Sequence, residues 1–223
     1  MDKSEELKRL EEETRSDGNL PLLEASLVFG EGASGAKVLF IGEAPGYHED
    51  QQGRPFVGQA GKLLDKLIAS VGWERKDVYI TNIVKRRPPN NRDPLPEEIA
   101  AYAPYLKRQI EIIDPKIIAT LGRFSMNYFL PETKISKDRG KAFVLKGKII
   151  FPLYHPAAAL RSTTVANDLT ADFAKLPAVL RDYSKIIASV STKKGAEKET
   201  LSYQVQASSY KTRPQFKGSA GSK

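Results

Sequence analysis

The stretch Lys37-Val-Leu-Phe-Ile-Gly-Glu-Ala-Pro-Gly46 changes, within a few residues, from a continuous apolar run to a turn rich in glycine and proline. A short apolar run of this kind is typical of a strand that is buried on both faces of a parallel sheet. In such sheets the ligand-binding loops follow the carboxyl ends of the strands. Residues 42–58 are therefore predicted to form a functional loop beyond a central strand.

Strand-like and helix-like segments alternate after this stretch. Strands are predicted at 77–84 and 116–121 and in a hairpin-like pair at 142–153, and helices at 60–71, 96–113 and 167–189. The alternation indicates an α/β fold, a three-layer α/β/α sandwich with a central, mostly parallel four-stranded sheet. Pro104 and Pro177 are expected to kink or break the second and third of these helices.

Composition divides the 223 residues into three parts. Residues 1–27 are predicted to form a polar N-terminal arm or helix, and its thin apolar stripe, Leu7 and Leu10, predicts marginal order. Residues 28–190 are long enough for one domain with a full core. Residues 191–223 are rich in Ser, Lys, Gly, Thr and Gln, which predicts a disordered basic tail.

The chain contains no cysteine and only two histidines, His48 and His155. The missing thiols exclude disulfides, thiolate zinc sites, catalytic cysteines and cysteine-ligated iron–sulfur clusters. No apolar run is long enough to cross a membrane, and the charged N-terminus does not resemble a secretory signal. We therefore expect a cytoplasmic, nucleoid-associated protein that does not bind membranes.

The formal net charge is +8 and the isoelectric point is about 9.5. Acidic residues are concentrated near the N-terminus, so the rest of the chain is more basic than the total indicates. A basic body with a basic tail favours a polyanionic partner, nucleic acid before membrane. The alternative is a basic protein whose charge only keeps it soluble.

Five short motifs lie around the first two predicted strands and after the last one: Val28-Phe-Gly-Glu-Gly32, Gly42-Glu-Ala-Pro-Gly46, Thr81-Asn82, Arg87-Pro-Pro with Asn91-Arg-Asp-Pro94, and His155-Pro-Ala-Ala-Ala-Leu160. In this order they resemble the uracil-DNA glycosylase superfamily, with the family 4 enzymes of bacteria and archaea as the best match. The resemblance covers roughly residues 28–180. It implies that the domain at 28–190 is catalytic and removes uracil from DNA in base excision repair.

The chain departs from this family in one respect. Family 4 enzymes usually hold a four-iron cluster on four cysteines, which by resemblance would fall near residues 15–20, at Arg86 and at Tyr102. Because none of these positions is a cysteine, we expect no cluster, and no other cofactor or metal. Packing and polar contacts from residues 10–27, Arg86 and Tyr102 are expected to take its place.

The resemblance assigns catalysis to Glu43 and His155. Breaking the bond between uracil and deoxyribose produces an oxocarbenium-like sugar and a uracil anion with charge on O2. A Glu43 carboxylate would position water at C1′ or stabilise the sugar cation, and a neutral His155 would donate a hydrogen bond to O2. The alternatives are an acid that braces its loop by accepting backbone N–H bonds and a structural histidine at a turn.

The candidate substrate-binding residues surround this pair. Asn82 offers an amide donor and acceptor that match O4 and N3–H of uracil but not the opposite pattern of cytosine, although it could be a simple turn residue. Phe56 is a candidate stacking platform for the flipped base, or else a core residue. Tyr47 could exclude thymine or face solvent. The remaining candidates are the loop residues Gly42, Ala44, Pro45 and Gly46.

Five basic residues are candidates for DNA contacts: Lys85, Arg86, Arg87, Arg92 and Arg161. The first four are expected to meet phosphates, and Arg161 to fill the space that the flipped base leaves. His48 is a loop residue or a contact to the DNA backbone. The tail would add salt-sensitive affinity for single- or double-stranded DNA, or dock other repair or replication proteins. We expect a monomer.

These features predict a monofunctional glycosylase that flips uracil out of DNA, hydrolyses the N-glycosidic bond and leaves an abasic site. No lysine nucleophile is needed, so strand cleavage is not expected. Two alternatives remain: a DNA-binding module of the same fold with little or no catalysis, and a nucleobase or nucleoside hydrolase. The set Glu43, Asn82 and His155 argues against the first, and the basic tail and loops argue against the second.

Overall fold

A computed structural model of the chain describes residues 2–191 and 201–203. Within these residues the strands are β1 (Glu31–Gly32), β2 (Val38–Gly42), β3 (Tyr79–Asn82), β4 (Ile117–Leu121), β5 (Ala142–Leu145), β6 (Lys148–Leu153) and β7 (Leu201–Tyr203). They form one sheet in the order β1-β3-β2-β4-β6-β5-β7.

The four central strands, β3, β2, β4 and β6, are parallel to one another. The α/β class and the mostly parallel sheet are thereby confirmed, but the predicted count of four strands is too low. β1 adds antiparallel to β3 at one edge, and β5 and β7 add antiparallel at the other. β1 has only two residues, too few for any hydrophobic pattern to mark it.

β7 lies inside the segment 191–223 that is predicted to be a disordered tail. Residues 192–200 and 204–223 of that segment lie outside the described residues.

The described helices are α1 (Lys3–Ser16), α2 (Tyr47–Gln52), α3 (Gln59–Ser70), α4 (Pro96–Ile113), α5 (Arg123–Phe129), α6 (Ile135–Asp138), α7 (Pro156–Ala159), α8 (Thr163–Phe173), α9 (Leu176–Arg181) and α10 (Tyr183–Ser191). Single 3-10 turns occur at Arg75–Asp77 and Pro89–Asn91. None of these helices is long and apolar enough to span a membrane.

Successive side chains of β2 point to opposite faces of the sheet, and each face carries its own apolar core. Val38 and Phe40 pack with residues of α3, α8, α9 and α10. Leu39 and Ile41 pack with residues of α1 and α4 on the other face. The molecule is therefore a three-layer α/β/α sandwich, as predicted.

The two prolines expected to disturb helices have different effects. α4 continues through Pro104 without a break. Pro104 and Ala100 are both exposed, so the Ala100 carbonyl that loses its N–H partner can bind water instead. Around Pro177 the predicted interruption is found, since α8 ends at Phe173 and Pro177 lies in the first turn of α9.

The N-terminal segment is part of the second core rather than a marginally ordered arm. Leu7 and Leu10 of α1 are buried against α4, and Leu20, Leu22 and Leu27 continue the same cluster. The two leucines of α1 are enough to pack the helix against α4 because the leucines after the helix complete the same apolar cluster. Residues 1–27 and the domain at 28–190 thus share one core from Leu7 onward.

Arg86 and Tyr102 hold this segment with buried polar contacts. The Arg86 guanidinium donates a hydrogen bond to the Ala25 carbonyl, and the Tyr102 hydroxyl donates one to the Pro21 carbonyl at 2.8 Å. Burial raises the pKa of Tyr102 to about 12, and the positive charge of Arg86 acts in the opposite direction. A guanidinium and a phenol therefore occupy two positions where the resemblance places cluster cysteines. These residues do not fit an iron–sulfur cluster.

We expect Arg86→Ala to lower the free energy of unfolding by about 1–3 kcal/mol, since it leaves the partly buried Ala25 carbonyl without its donor. Tyr102→Phe is expected to cost about 1 kcal/mol. Urea denaturation at a constant m value measures both changes.

Arg15→Ala is the matched control, because Arg15 forms only exposed ion pairs on α1. Its effect should stay within about 0.5 kcal/mol. A loss at Arg86 no larger than the loss at Arg15 would contradict the stabilising role of the Arg86 contacts.

Candidate active site

A cavity of about 650 Å³ opens at the carboxyl edge of the four parallel strands. Each of these strands supplies part of its wall. Glu43, Ala44, Pro45 and Gly46 follow β2, Asn82 ends β3, Gly122 and Arg123 follow β4, and Tyr154 and His155 follow β6. The three strand ends singled out from the sequence therefore meet at one cavity.

Gly42 lies behind this wall and determines how closely the strands and the loop approach. A Cβ at this position would lie 2.4 Å from Asn82 Oδ1 and 2.5 Å from Phe56 Cζ. Both distances are far shorter than any van der Waals contact, so only glycine allows Asn82 and Phe56 to lie against the end of β2. Gly42 itself does not line the cavity.

Asn82 brings an unsatisfied acceptor to the cavity. The residue is 1% exposed, and its Oδ1 has no hydrogen-bond partner among the described residues. A buried acceptor without a donor costs about 1–3 kcal/mol. A ligand that presents an N–H at this point would remove that cost.

His155 is held as a neutral donor. It caps α7, and its Nδ1 accepts a hydrogen bond from the Ala157 N–H at 3.1 Å. Because Nδ1 is an acceptor, the ring proton of the neutral imidazole resides on Nε2. Burial lowers the pKa of His155 to about 4 against the opposing effect of Glu49, so the ring is neutral at physiological pH.

Glu43 titrates near neutrality. Burial, assisted by the negative charge of Asp93, raises its pKa to about 7, and Arg123 acts in the opposite direction. No described residue donates a hydrogen bond to its carboxylate, which argues against the loop-bracing alternative.

Glu49 of α2 has the loop-bracing role instead. Its Oε1 accepts hydrogen bonds from the Val57 N–H at 2.8 Å and the Gly58 N–H at 2.9 Å. Glu49 also lines the cavity. Sequence reasoning missed Glu49, since no spacing pattern links an acid to amides eight and nine residues away.

Phe56 forms a buried wall of the cavity. Its ring centroid lies 5.7 Å from that of His155, with an angle of 30° between the planes. The backbone at Phe56 has a φ of 52°, in the left-handed region. Arg75 supports this conformation by donating hydrogen bonds to the carbonyls of Pro55 and Phe56. Arg75 carries no sequence signal, because it is distant in the chain.

Two candidates for phosphate contacts, Lys85 and Arg86, are buried and cannot reach DNA. Lys85 is fully buried, and its Nζ donates hydrogen bonds to Thr81 Oγ1 and Gln109 Oε1, both at 2.6 Å. Burial lowers the pKa of Lys85 well below its ordinary value. Arg86 is 6% exposed and bound to the N-terminal segment. The sequence places these charged residues in a loop, and nothing in it indicates that their side chains are buried.

Tyr47 does not line the cavity. It is 52% exposed, the Arg87 guanidinium lies 5.2 Å from its ring centroid, and His48 packs edge-on against it. This position corresponds to the solvent-facing alternative and gives Tyr47 no wall from which to exclude thymine. His48 is also exposed.

The remaining arginines border the cavity or lie beside it. Arg92 and Arg161 are part of its lining. The Arg92 guanidinium forms two hydrogen bonds with the Glu98 carboxylate, at 2.6 and 2.9 Å. Arg87 donates to Asn91 Oδ1 at 2.6 Å.

The described residues contain no group of three or more His, Cys, Asp or Glu side chains that could hold a metal ion. The chain also has no cysteine to bind an iron–sulfur cluster.

Comparison with known proteins agrees with the motifs. The family profile of the uracil DNA glycosylase superfamily matches residues 29–178. A type-4 uracil-DNA glycosylase of Sulfurisphaera tokodaii is 54% identical over 157 residues, covering 66% of this chain and 71% of the relative. Those of Saccharolobus solfataricus and Archaeoglobus fulgidus are 52% and 46% identical, covering 68% and 66% of this chain and 74% and 78% of the relatives. The chain belongs to the uracil DNA glycosylase superfamily, within its type-4 group.

Proposed function

We propose that this chain is a monofunctional uracil-DNA glycosylase, which hydrolyses the N-glycosidic bond of a flipped-out uracil and leaves an abasic site. The observation that carries the proposal is the buried, unpaired Asn82 Oδ1, in the same cavity as a neutral His155. The type-4 relatives, named as uracil-DNA glycosylases, support it.

Asn82 recognises the base through its Watson–Crick edge. Its Oδ1 accepts from uracil N3–H, and its amide nitrogen donates to O4. Cytosine presents an acceptor at N3 and a donor at N4, so each group of Asn82 would face a like group in the buried cavity. Such a mismatch discriminates strongly, because both partners lose their hydrogen bonds to water.

His155 stabilises the leaving base. As the bond to C1′ breaks, negative charge develops on uracil O2, and the Nε2–H of the cavity-lining His155 stabilises it. The nearby Phe56 ring provides a face on which the flipped base stacks.

Glu43 acts on the sugar side of the bond. Its carboxylate, free of hydrogen bonds from described residues, orients a water towards C1′ and stabilises the developing positive charge on the sugar. The protonated acid can do neither, so the ionised form is the active one.

The proposal includes a setting for the reaction. The enzyme needs no cofactor, works as a monomer and acts in the cytoplasm at the nucleoid, where its substrate lies. The basic residues after position 191 would add electrostatic affinity for DNA, or dock repair or replication proteins.

The test is to incubate the full chain with a uracil-containing oligonucleotide and then heat it in alkali, which cuts the strand at abasic sites. Breaks are expected only at uracil, only after alkali, and equally in the presence of a chelator. Matched oligonucleotides with cytosine or thymine at the same position are the controls.

Each alternative has its own outcome in this assay. Tight DNA binding without breaks would favour the DNA-binding module. Comparable release of uracil from free deoxyuridine would favour the nucleoside hydrolase. Breaks before alkali would contradict a monofunctional reaction.

The pKa of Glu43, about 7, predicts a pH profile. Because the ionised carboxylate is the active form, kcat/KM for uracil release should rise about tenfold per pH unit below 7 and level off above about 8. His155, with a pKa of about 4, stays neutral across this range and adds no limb. Initial rates between pH 5.5 and 9 measure the profile.

Glu43→Gln is expected to fold normally, to lose most turnover and to lose the acid limb of the profile. An acid limb that persists in Glu43→Gln would assign the titration to another group and contradict the role of Glu43.

Asn82→Asp is expected to slow release of uracil and to make cytosine detectable as a substrate. A carboxyl group accepts from cytosine N4–H and, when protonated, donates to N3. Alkali-sensitive breaks at cytosine measure the gain. Asn82→Ala, which removes the recognition without replacing it, is the control and should not gain cytosine release.

A further inference from the structure

The arginines after β3 and at the start of α5 are already paired. Three arginines from the loop after β3 and the start of α5 lie within 4 Å of carboxylates: Arg87 and Asp50 at 3.9 Å, Arg92 and Glu98 at 2.6 Å, Arg123 and Asp93 at 2.7 Å. To bind a phosphate, each of them must share or give up its carboxylate. Arg92 would have to break a two-point contact, which is the strongest of the three.

Three exposed cations in and near α6 and after α7 are unpaired among the described residues. Ile135 of α6 lines the cavity, and the exposed Lys134 and Lys137 flank it in sequence. Arg161, just after α7, lines the same cavity and is also exposed. None of these three side chains forms an ion pair within the part of the chain that the structure describes.

The acidic groups near α6 are largely occupied by other donors. Asp138 accepts a hydrogen bond from the Lys134 backbone N–H at 2.9 Å and one from Lys141 Nζ at 3.1 Å, although its charge also reaches Lys137. Asp168 and Asp172 pair with Arg139. Neither lysine side chain forms an ion pair with these three acids, so both remain available to bind a ligand.

We propose that Lys134 and Lys137 bind phosphates of the DNA strand next to the flipped uracil, so that the strand crosses the mouth along α6 and Arg161. This path rests on the proposed function, and it replaces the path past Lys85 and Arg86 that burial excludes. Lys134 immediately precedes α6 as its N-cap residue, and Lys137 lies in the last turn of this short helix, three residues further on. Neighbouring phosphates of one strand can contact both.

DNA fits this surface better than an anionic membrane does. Arg161 lines the cavity, and Lys134 and Lys137 flank its partly exposed lining residue Ile135 in sequence. A flat lipid surface would leave this cavity empty, whereas a strand that inserts one nucleotide fills it. The ligand recognised by α6 is thus a phosphodiester backbone whose base enters the cavity.

The experiment compares double variants of the full chain that each remove two positive charges. Lys134→Gln with Lys137→Gln is the test, and Lys8→Gln with Lys107→Gln, on exposed positions of α1 and α4, is the matched control. The Kd for a uracil-free single-stranded oligonucleotide is measured over a range of salt concentrations. Since no base is released, this readout does not depend on catalysis.

The α6 variant should reduce the slope of log K against log salt by about 1.4, that is, about 0.7 for each lost phosphate contact with a single strand. The control should leave the slope unchanged. Arg87→Gln with Arg92→Gln should reduce it by less than half as much as the α6 variant.

An unchanged slope in the α6 variant, or an equal change in the control, would overturn the proposal. So would a larger change in the Arg87 and Arg92 variant, because the strand would then follow the paired arginines. Loss of binding to phosphatidylglycerol vesicles with no loss on DNA would reassign the surface to a membrane. Failure of the wild-type chain to release uracil would overturn the proposed function and leave this result standing.

Discussion

The geometry of the cavity depends on the absence of a side chain at Gly42. The position is paired with Asn82 in the parallel ladder of β2 and β3, so the two strand ends cannot separate to admit a Cβ without breaking the sheet. The Phe56 ring approaches the same point from the other direction. One constraint therefore fixes the distances between the Asn82 amide, the Phe56 ring and the start of the Glu43 loop. The other candidate groups are arranged around this point.

A row of buried polar side chains holds the chain that leads into the sheet. Tyr102 donates to the carbonyl of Pro21, Arg86 to that of Ala25, and Thr81 to that of Phe29. Tyr102 belongs to α4, Thr81 to β3, and Arg86 follows β3. Their hydrogen bonds therefore attach residues 21–29 to both α4 and β3. This attachment also explains why an N-terminal segment with a weak hydrophobic pattern belongs to the core.

The sequence was sufficient to predict the position of a candidate residue where that residue directly follows or ends a buried strand. Apolar runs located the parallel strands, and the rule that functional loops follow their carboxyl ends located Glu43, Asn82 and His155. It was insufficient where a contact depends on how the loop after a strand turns. Lys85 is a charged residue in a predicted loop, but its carbonyl pairs with the Val28 N–H and its side chain points into the core. Arg75 supports Phe56 only because of the left-handed backbone there, which no spacing predicts.

Burial raises the pKa of Glu43 and lowers the pKa of His155. Both shifts favour the neutral form of the side chain. For His155 the neutral form is the useful one, since an imidazole with its proton on Nε2 donates to a developing anion and carries no charge that must be desolvated. In the proposed reaction the neutral form of Glu43 is inactive, so its burial would lower the fraction of active enzyme near pH 7. The same burial makes the ionised carboxylate effective, because little water screens it from a positive charge that forms on the sugar. In this proposal, burial lowers the fraction of Glu43 that is ionised. It also strengthens the interaction of the ionised carboxylate with positive charge on the sugar.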